Sequence, residues 1–287
     1  MKRLLGVFLA IMMLLTCAGC GGGEEKPAAP AEEKQASDKV GALMPIGLDE
    51  EGYKRWTQDI AQVEGQTAYT APNKVIFFDN MNAMIAALQA NQIDRFATGS
   101  RVGNYIAAHN DAIQVIDNNF KPILGYSIGA LEANAAQIEE INTAIKAMKD
   151  DGTIDKLVKE NIIDVGNGEP AAMPMPVIEG APTIKVAVTG DMPAMDFVSA
   201  DGKPAGFNVA FLSELSKRIN KNIELVDIDA GARSAALSSG QVDALFWVVG
   251  VYDQEGKALP YPLDNVKGFA VSIPYLMDSR VGLTLKK

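Results

Sequence analysis

Past Val40, short apolar runs alternate with segments whose apolar residues recur every three or four positions. The runs "KVIFFD" (74–79), "QIDRFAT" (92–98) and "AIQVID" (112–117) predict strands, and "VGALMPIG" predicts a strand and loop. Between them, "LDEEGYKRWTQDIAQ", "NMNAMIAALQAN" and "RVGNYIAAHND" have helical spacing, with Met81, Met84, Ile85 and Leu88 on one stripe. Next come a strand-like "PILGYSIGAL" and a strongly amphipathic helix, "AAQIEEINTAIKAMKDDG", whose stop is Gly152. A short helix, "TIDKLVKENI", follows.

After the stretch 164–182 the alternation resumes. "TIKVAVTGD", "IELVDID" and "QVDALFWVV" predict strands, and "FVSADGKPAGF" predicts a hairpin turning at Asp201-Gly202. "NVAFLSELSKRINKN" predicts a helix that Asn208 can cap, and "ARSAALSSG" another. Strands alternating with helices predict an α/β chain with largely parallel sheets. One corner is written twice: "IAALQANQID" (85–94) and "SAALSSGQVD" (234–243) share Ala-Ala-Leu, a turn residue, Gln, a β-branched residue and Asp. A repeated helix-to-strand corner implies two similar lobes facing across a cleft, where helix N-termini supply N–H donors.

Other segments punctuate this pattern. Residues 164–182 carry four Pro and three Gly in 19 residues, which marks a linker. At the N-terminus, Lys2 and Arg3 precede an uncharged run to Gly19, too short for a membrane span and suited to a signal peptide over 1–19. The stretch "TCAGC" resembles the processing site of bacterial lipoproteins, which implies a lipid anchor on Cys20 and a protein held outside the cytoplasm. Cys17 stands where such sites usually carry Leu. Residues 20–39 then read as a lipidated Cys and a solvated spacer rich in Gly, Ala, Pro and Glu.

Composition removes several classes of function. The formal charge is -10, and no cluster of Lys and Arg interleaves with aromatics, so a nucleic-acid partner is not expected. The chain has one histidine, His109, in a solvated helix end, and two cysteines, Cys17 and Cys20. No metal-ligand spacing, Cys/His pair or phosphate-cradling Gly loop is present, so no cofactor, metal or catalytic residue is expected. The chain is not expected to be an enzyme.

The order and wording of these elements resemble the solute-binding proteins of the type 2 periplasmic-binding fold, in the branch serving polar amino-acid uptake. The resemblance is carried by Thr183–Ile228, "AALSSGQVDALF" (235–246), "VSIPY" (271–275) and Tyr126–Ile162. It implies a two-lobed α/β fold that captures a small-molecule solute and delivers it to an ABC-type permease. In the family, the passage like 126–162 ends the chain; here it precedes the passage like 183–287. The lobe segments therefore stand in circularly permuted order: 40–120 as the second lobe, and 121–163 with 183–287 as the first, joined through 164–182. A flexible chain of that length spans about 25 Å on average. One covalent crossing near Phe120–Gly125 is then expected, the free C-terminal end supplying the other. A reciprocal exchange of halves in a segment-swapped dimer fits the same order.

The family's ligand signature is not matched. No Arg follows "VDALFW" in "WVVGVYDQEGKALPYP", Gly99 stands near the expected acid, "PAM" replaces the aromatic loop, and Ala210 replaces another acid. Candidate ligand-binding residues are Asp191, Met192, Met195, Phe197, Trp247 and Tyr252 from one lobe. The other offers Asn80, Met81, Asn82, Ser100, Arg101 and Tyr105, with Arg101 the expected cation for an anionic ligand. These groups suit a small, partly apolar solute. A sensor or protein-docking module on the same scaffold is the alternative.

Overall fold

The computed structural model describes residues 38–63, 72–117, 121–192, 194–199, 201–260, 262–264 and 266–287. The signal peptide, Cys20 and the spacer up to Ser37 lie outside the described residues. No helix among those described is long and apolar enough to cross a membrane.

The expected α/β alternation is what the chain forms. The first part is β1 (Lys39–Leu43), α1 (Glu50–Val63), β2 (Lys74–Phe78), α2 (Met81–Gln89), β3 (Arg95–Gly99), α3 (Ser100–Ala108) and β4 (Ile113–Ile116). Then come β5 (Ile123–Leu131), α4 (Ala135–Asp150) and α5 (Thr153–Val158), which continues as a wider turn to Ile163. The last part is β6 (Thr183–Val188), β7 (Asp191–Met192), β8 (Asp196–Val198), β9 (Pro204–Ala205), α6 (Phe207–Ile219), β10 (Asn222–Asp227), α7 (Arg233–Ser238) and β11 (Ala244–Tyr252). It closes with β12 (Phe269–Val271), β13 (Leu276–Asp278) and β14 (Arg280–Leu285).

Two sheets dominate, and they are built alike. One runs β2-β1-β3-β14-β4, the other β10-β6-β11-β5, with β12 and β13 pairing successive parts of β5. Each has three parallel strands followed by an antiparallel one. In each case that antiparallel strand has just arrived from the other sheet, β5 after β4 and β14 after β13. The C-terminal strand therefore belongs with residues 39–116, not with the rest of 183–287, and the chain crosses between the sheets twice. Its alternation around Val281 and Leu283 lets it bury against β3 and β4, where it completes a sheet that would otherwise leave β3 an open edge. β5 and β6 share the second sheet although the linker separates them in sequence.

The repeated corner has one physical basis in both places. Asn91 and Gly240 both take positive φ, 55° and 74°, and so end α2 and α7. Gln92 N–H then donates to Ala87 O and Gln241 N–H to Ala236 O, each at 2.9 Å. The Asp that follows ties the corner to the middle parallel strand of its sheet, β1 or β6. Asp94 Oδ2 accepts from Lys39 N and Asp243 Oδ2 from Lys185 N, each at 2.7 Å.

Two local expectations change. Asn208 does not cap α6, because the chain turns two residues earlier, at Gly206, with φ of 100°. A Cβ there would lie 2.7 Å from Met195 O, so the close approach requires glycine. Asn208 is instead fully buried inside the helix, its side-chain amide without a hydrogen-bond partner. The segment 164–182 has no helix or long strand, but it is tied down. The Asn222 amide brackets Ile178, accepting from its N–H at 2.7 Å and donating to its carbonyl at 3.0 Å. Met173 N–H donates to Pro204 O at 3.1 Å.

Candidate functional site

Where the two sheets face each other, the loop after the middle parallel strand of each, β1 or β6, meets the opening of the "AAL" helix of the other. Met44, after β1, offers its carbonyl to Arg233 Nη2 of α7 at 3.1 Å. Asp191, in β7 just after β6, offers Oδ2 to the N–H groups of Met81 and Asn82 in α2, at 2.5 and 3.3 Å. Between these contacts the loops before the two helices touch, Ala230 N–H donating to Asp79 O at 2.7 Å and Asn80 Nδ2 to Asp229 Oδ1 at 3.4 Å. The repeat thus produces a pseudo-twofold seam.

Beneath that seam lies a small cavity of about 100 Å³, partly open to solvent. One wall is Ala42–Pro45, Tyr53, Ala97–Gly99 and Arg280; the other includes Leu124, Tyr126, Met192, Trp247 and Asp264 with Arg233. It is mainly apolar and aromatic, with its charged groups Arg233, Arg280 and Asp264. Trp247 is held edge-on to Tyr126, with ring centroids 4.6 Å apart, and its Nε1 donates to buried Asp196 at 3.2 Å. Burial raises the Asp196 carboxyl above its ordinary value, against the hydrogen bonds it receives from Thr189 and Trp247.

The arginines are already engaged. Arg233, buried at the start of α7, donates to the carbonyls of Ala230, Trp247 and Met44 and pairs with Asp264 at 3.5 Å. Asp264, 1% exposed, also accepts from Ile46 N at 2.7 Å and Val249 N at 2.9 Å, so it stitches the β1 loop to β11. Arg280 meets the Tyr53 hydroxyl at 2.5 Å and lies over the Trp56 ring at 5.8 Å.

A second carboxylate caps the other helix of the first sheet. Asp278, at the end of β13, accepts from Ser100 Oγ at 2.5 Å and Arg101 N at 3.2 Å. Burial raises its carboxyl; Ser100 and Arg101 pull it back. Gly99 makes room, since a Cβ there would sit 2.4 Å from the Tyr126 hydroxyl and 2.6 Å from Asp278 Oδ2.

The sequence candidates are thus divided. Met192 and Trp247 line the cavity. Asp191, Asn80 and Asn82 lie along the seam above it, beside Asp227 and Asp229. Ser100 and Arg101 are tied to Asp278, so the expected anion-binding cation is ion-paired at 3.9 Å. Met81 and Met195, suggested by their places at the start of α2 and after β6, are core residues, 0% and 1% exposed; Met81 belongs to the apolar stripe of α2. Phe197 is half-buried in the three-stranded β7-β8-β9 ribbon. Tyr252 covers Gly125 and Gly250, and Tyr105 stacks on His109 at 3.9 Å; neither reaches the cavity. Arg233, Arg280, Tyr53 and Asp264 were missed. For Arg233 the repeat gave no signal, since it aligns this position with Met84, a buried core residue of α2. No group of three or more His, Cys, Asp or Glu among the described residues could hold a metal ion.

Among solved structures, the chain is similar to the ligand-binding component of an ABC-type import system from Staphylococcus aureus. The identity is 12% and the TM-score 0.38, covering 86% of this chain and 65% of that one. It is also similar to the PBP AgaA from A. tumefaciens R10 in complex with agropinic acid, at 11% and 0.38, covering 74% and 55%. A third is the GluR0 ligand-binding core in complex with L-glutamate, at 11% and 0.38, covering 88% and 86%. The chain therefore spans less than two thirds of the length of the first two. No curated protein matches it. Residues 184–257, which build β6 to β11 and the hairpin before α6, match the family model of the bacterial extracellular solute-binding proteins, family 3.

Proposed function

We propose that this chain is an extracytoplasmic solute-binding protein of the type 2 periplasmic-binding fold that holds a small molecule between two lobes and presents it to an ABC-type importer. The observation that carries this is the aromatic-lined cavity walled from both sheets, with Met192, Arg233 and Trp247 of one wall in the segment that matches the solute-binding family. The lobes follow the sheets: residues 38–116 with 280–287, and 121–278. Circular permutation within one molecule accounts for β5 and β6 sharing a sheet in an order opposite to the family's. Cys20 carries the lipid that tethers the body to a membrane.

The solute is small and mostly apolar, with an acceptor or anionic group toward Arg280. Arg233 does not serve as a free carboxylate clamp, since Asp264 and three carbonyls already share its guanidinium. Ordinary α-amino acids are therefore expected to bind weakly. The same engagement favours a second possibility, a sensor or docking module that closes on itself and carries no solute.

Mass spectrometry of the full-length protein, extracted in detergent, addresses these points together. The expected spectrum shows acyl mass on Cys20 in the denatured protein and, under native conditions, a monomer that loses a small molecule on activation. A native monomer that never carries a small molecule, whatever extract it is exposed to, supports the docking module instead. An unmodified Cys20 removes the anchor, and an obligate dimer replaces permutation by segment exchange.

A further inference from the structure

The first turn of α2 has no acidic residue of its own, and neither has that of α3. A nine-residue helix exposes N–H groups at its start, and these attract an anion. At α2 the anion is supplied from across the seam. Asp191 Oδ2 takes the N–H groups of Met81 and Asn82, while Ala83 N–H is satisfied by Asn80 Oδ1 at 2.9 Å. The second Asp191 oxygen, Oδ1, is buried and has no hydrogen-bond partner. At α3 the pattern repeats with Asp278, and Ser100 N–H donates to Ser279 O at 2.7 Å. The opening turns of both helices are thus occupied by groups from β7 or from the β13–β14 crossing.

Asp191 is there against local repulsion. Asp227 and Asp229 border the same cleft, and burial raises the Asp191 carboxyl despite the two N–H bonds. Asp278, by contrast, sits beside the crossing between β13 and β14, so covalent connection alone keeps it near α3. Asp191 has no such constraint, and its contact with α2 is one of those that join the units directly through space.

We propose that Asp191 is a tethered anion: it satisfies the α2 N-terminus from across the seam and so holds the seam closed without solute. This goes beyond the solute-binding proposal, because it concerns the seam above the cavity and not the cavity itself. It also stands apart from it, because the test involves no solute.

The test is amide hydrogen exchange across residues 80–89 of the full-length protein, with Asp191→Ala. Exchange at Met81 and Asn82 is expected to rise roughly five- to tenfold. Acetate, but not chloride at equal ionic strength, restores protection in the variant and leaves the wild type unchanged. Asp191→Asn, which keeps a neutral acceptor, gives a smaller rise and decides the matter in the same way if the alanine variant does not fold. Unchanged protection in the variants, or an acetate effect equal in variant and wild type, overturns the proposal. Either result leaves the cavity's role as a solute site to the mass-spectrometric test.

Discussion

Asp264→Ala is expected to lower the free energy of unfolding by about 3–5 kcal/mol, measured by urea denaturation. The carboxylate is 1% exposed and the guanidinium it faces 7%. Removing it leaves the buried Arg233 charge without its counter-charge and strips the acceptor from Ile46 N–H and Val249 N–H. Each buried N–H left unpaired adds to the loss. The paired change Arg233→Met with Asp264→Leu should lose clearly less, because it removes both charges and fills the space with apolar groups. Equal losses in the single and double variants would mean that the pair itself is unimportant.

Trp247→Ala carries the second large effect, about 3–5 kcal/mol, from the cavity left by a ring 4% exposed. Trp247→Phe isolates the polar part. It keeps most of the packing on Tyr126 and Phe246 but removes the Nε1 bond to Asp196, for roughly 1–3 kcal/mol. The deficit of the phenylalanine variant should shrink in acid. The Asp196 carboxyl lies above its unfolded value in the folded protein, so its contribution is favourable at low pH and is lost as pH rises through the folded value. The indole bond counters that loss by favouring the charged form. A deficit that is constant with pH would show that Asp196 is not stabilised by Trp247.

Much of the scaffold was legible because its elements are periodic and strongly punctuated. The duplicated "AAL" corner was readable from spacing alone, and its Asn91 and Gly240 turns and Asp94 and Asp243 ties are the local chemistry that such a repeat encodes. The destination of β14 was not readable. "RVGLTL" alternates like any half-buried strand, and nothing local tells which sheet will accept it. The site was less legible still. Met195 looks like a cleft residue only while its facing is unknown, and the stripe that holds Met81 already turns it inward. Arg233 and Asp264 lie 31 positions apart, the Asp in an irregular loop, and their pairing is fixed by how β11 and the β1 loop meet. Asp191 was singled out from its place after β6, but its partner, the start of α2, is 110 positions away.

A solute held between the two sheets touches both walls of the cavity. Met44 stands on one wall of the cavity and Met192 on the other. With methionine methyl groups labelled in the solute-loaded protein, intermolecular nuclear Overhauser effects from the solute are predicted to both the Met44 and the Met192 methyls. Contacts to one wall alone, or to methionines outside the cavity, would contradict it.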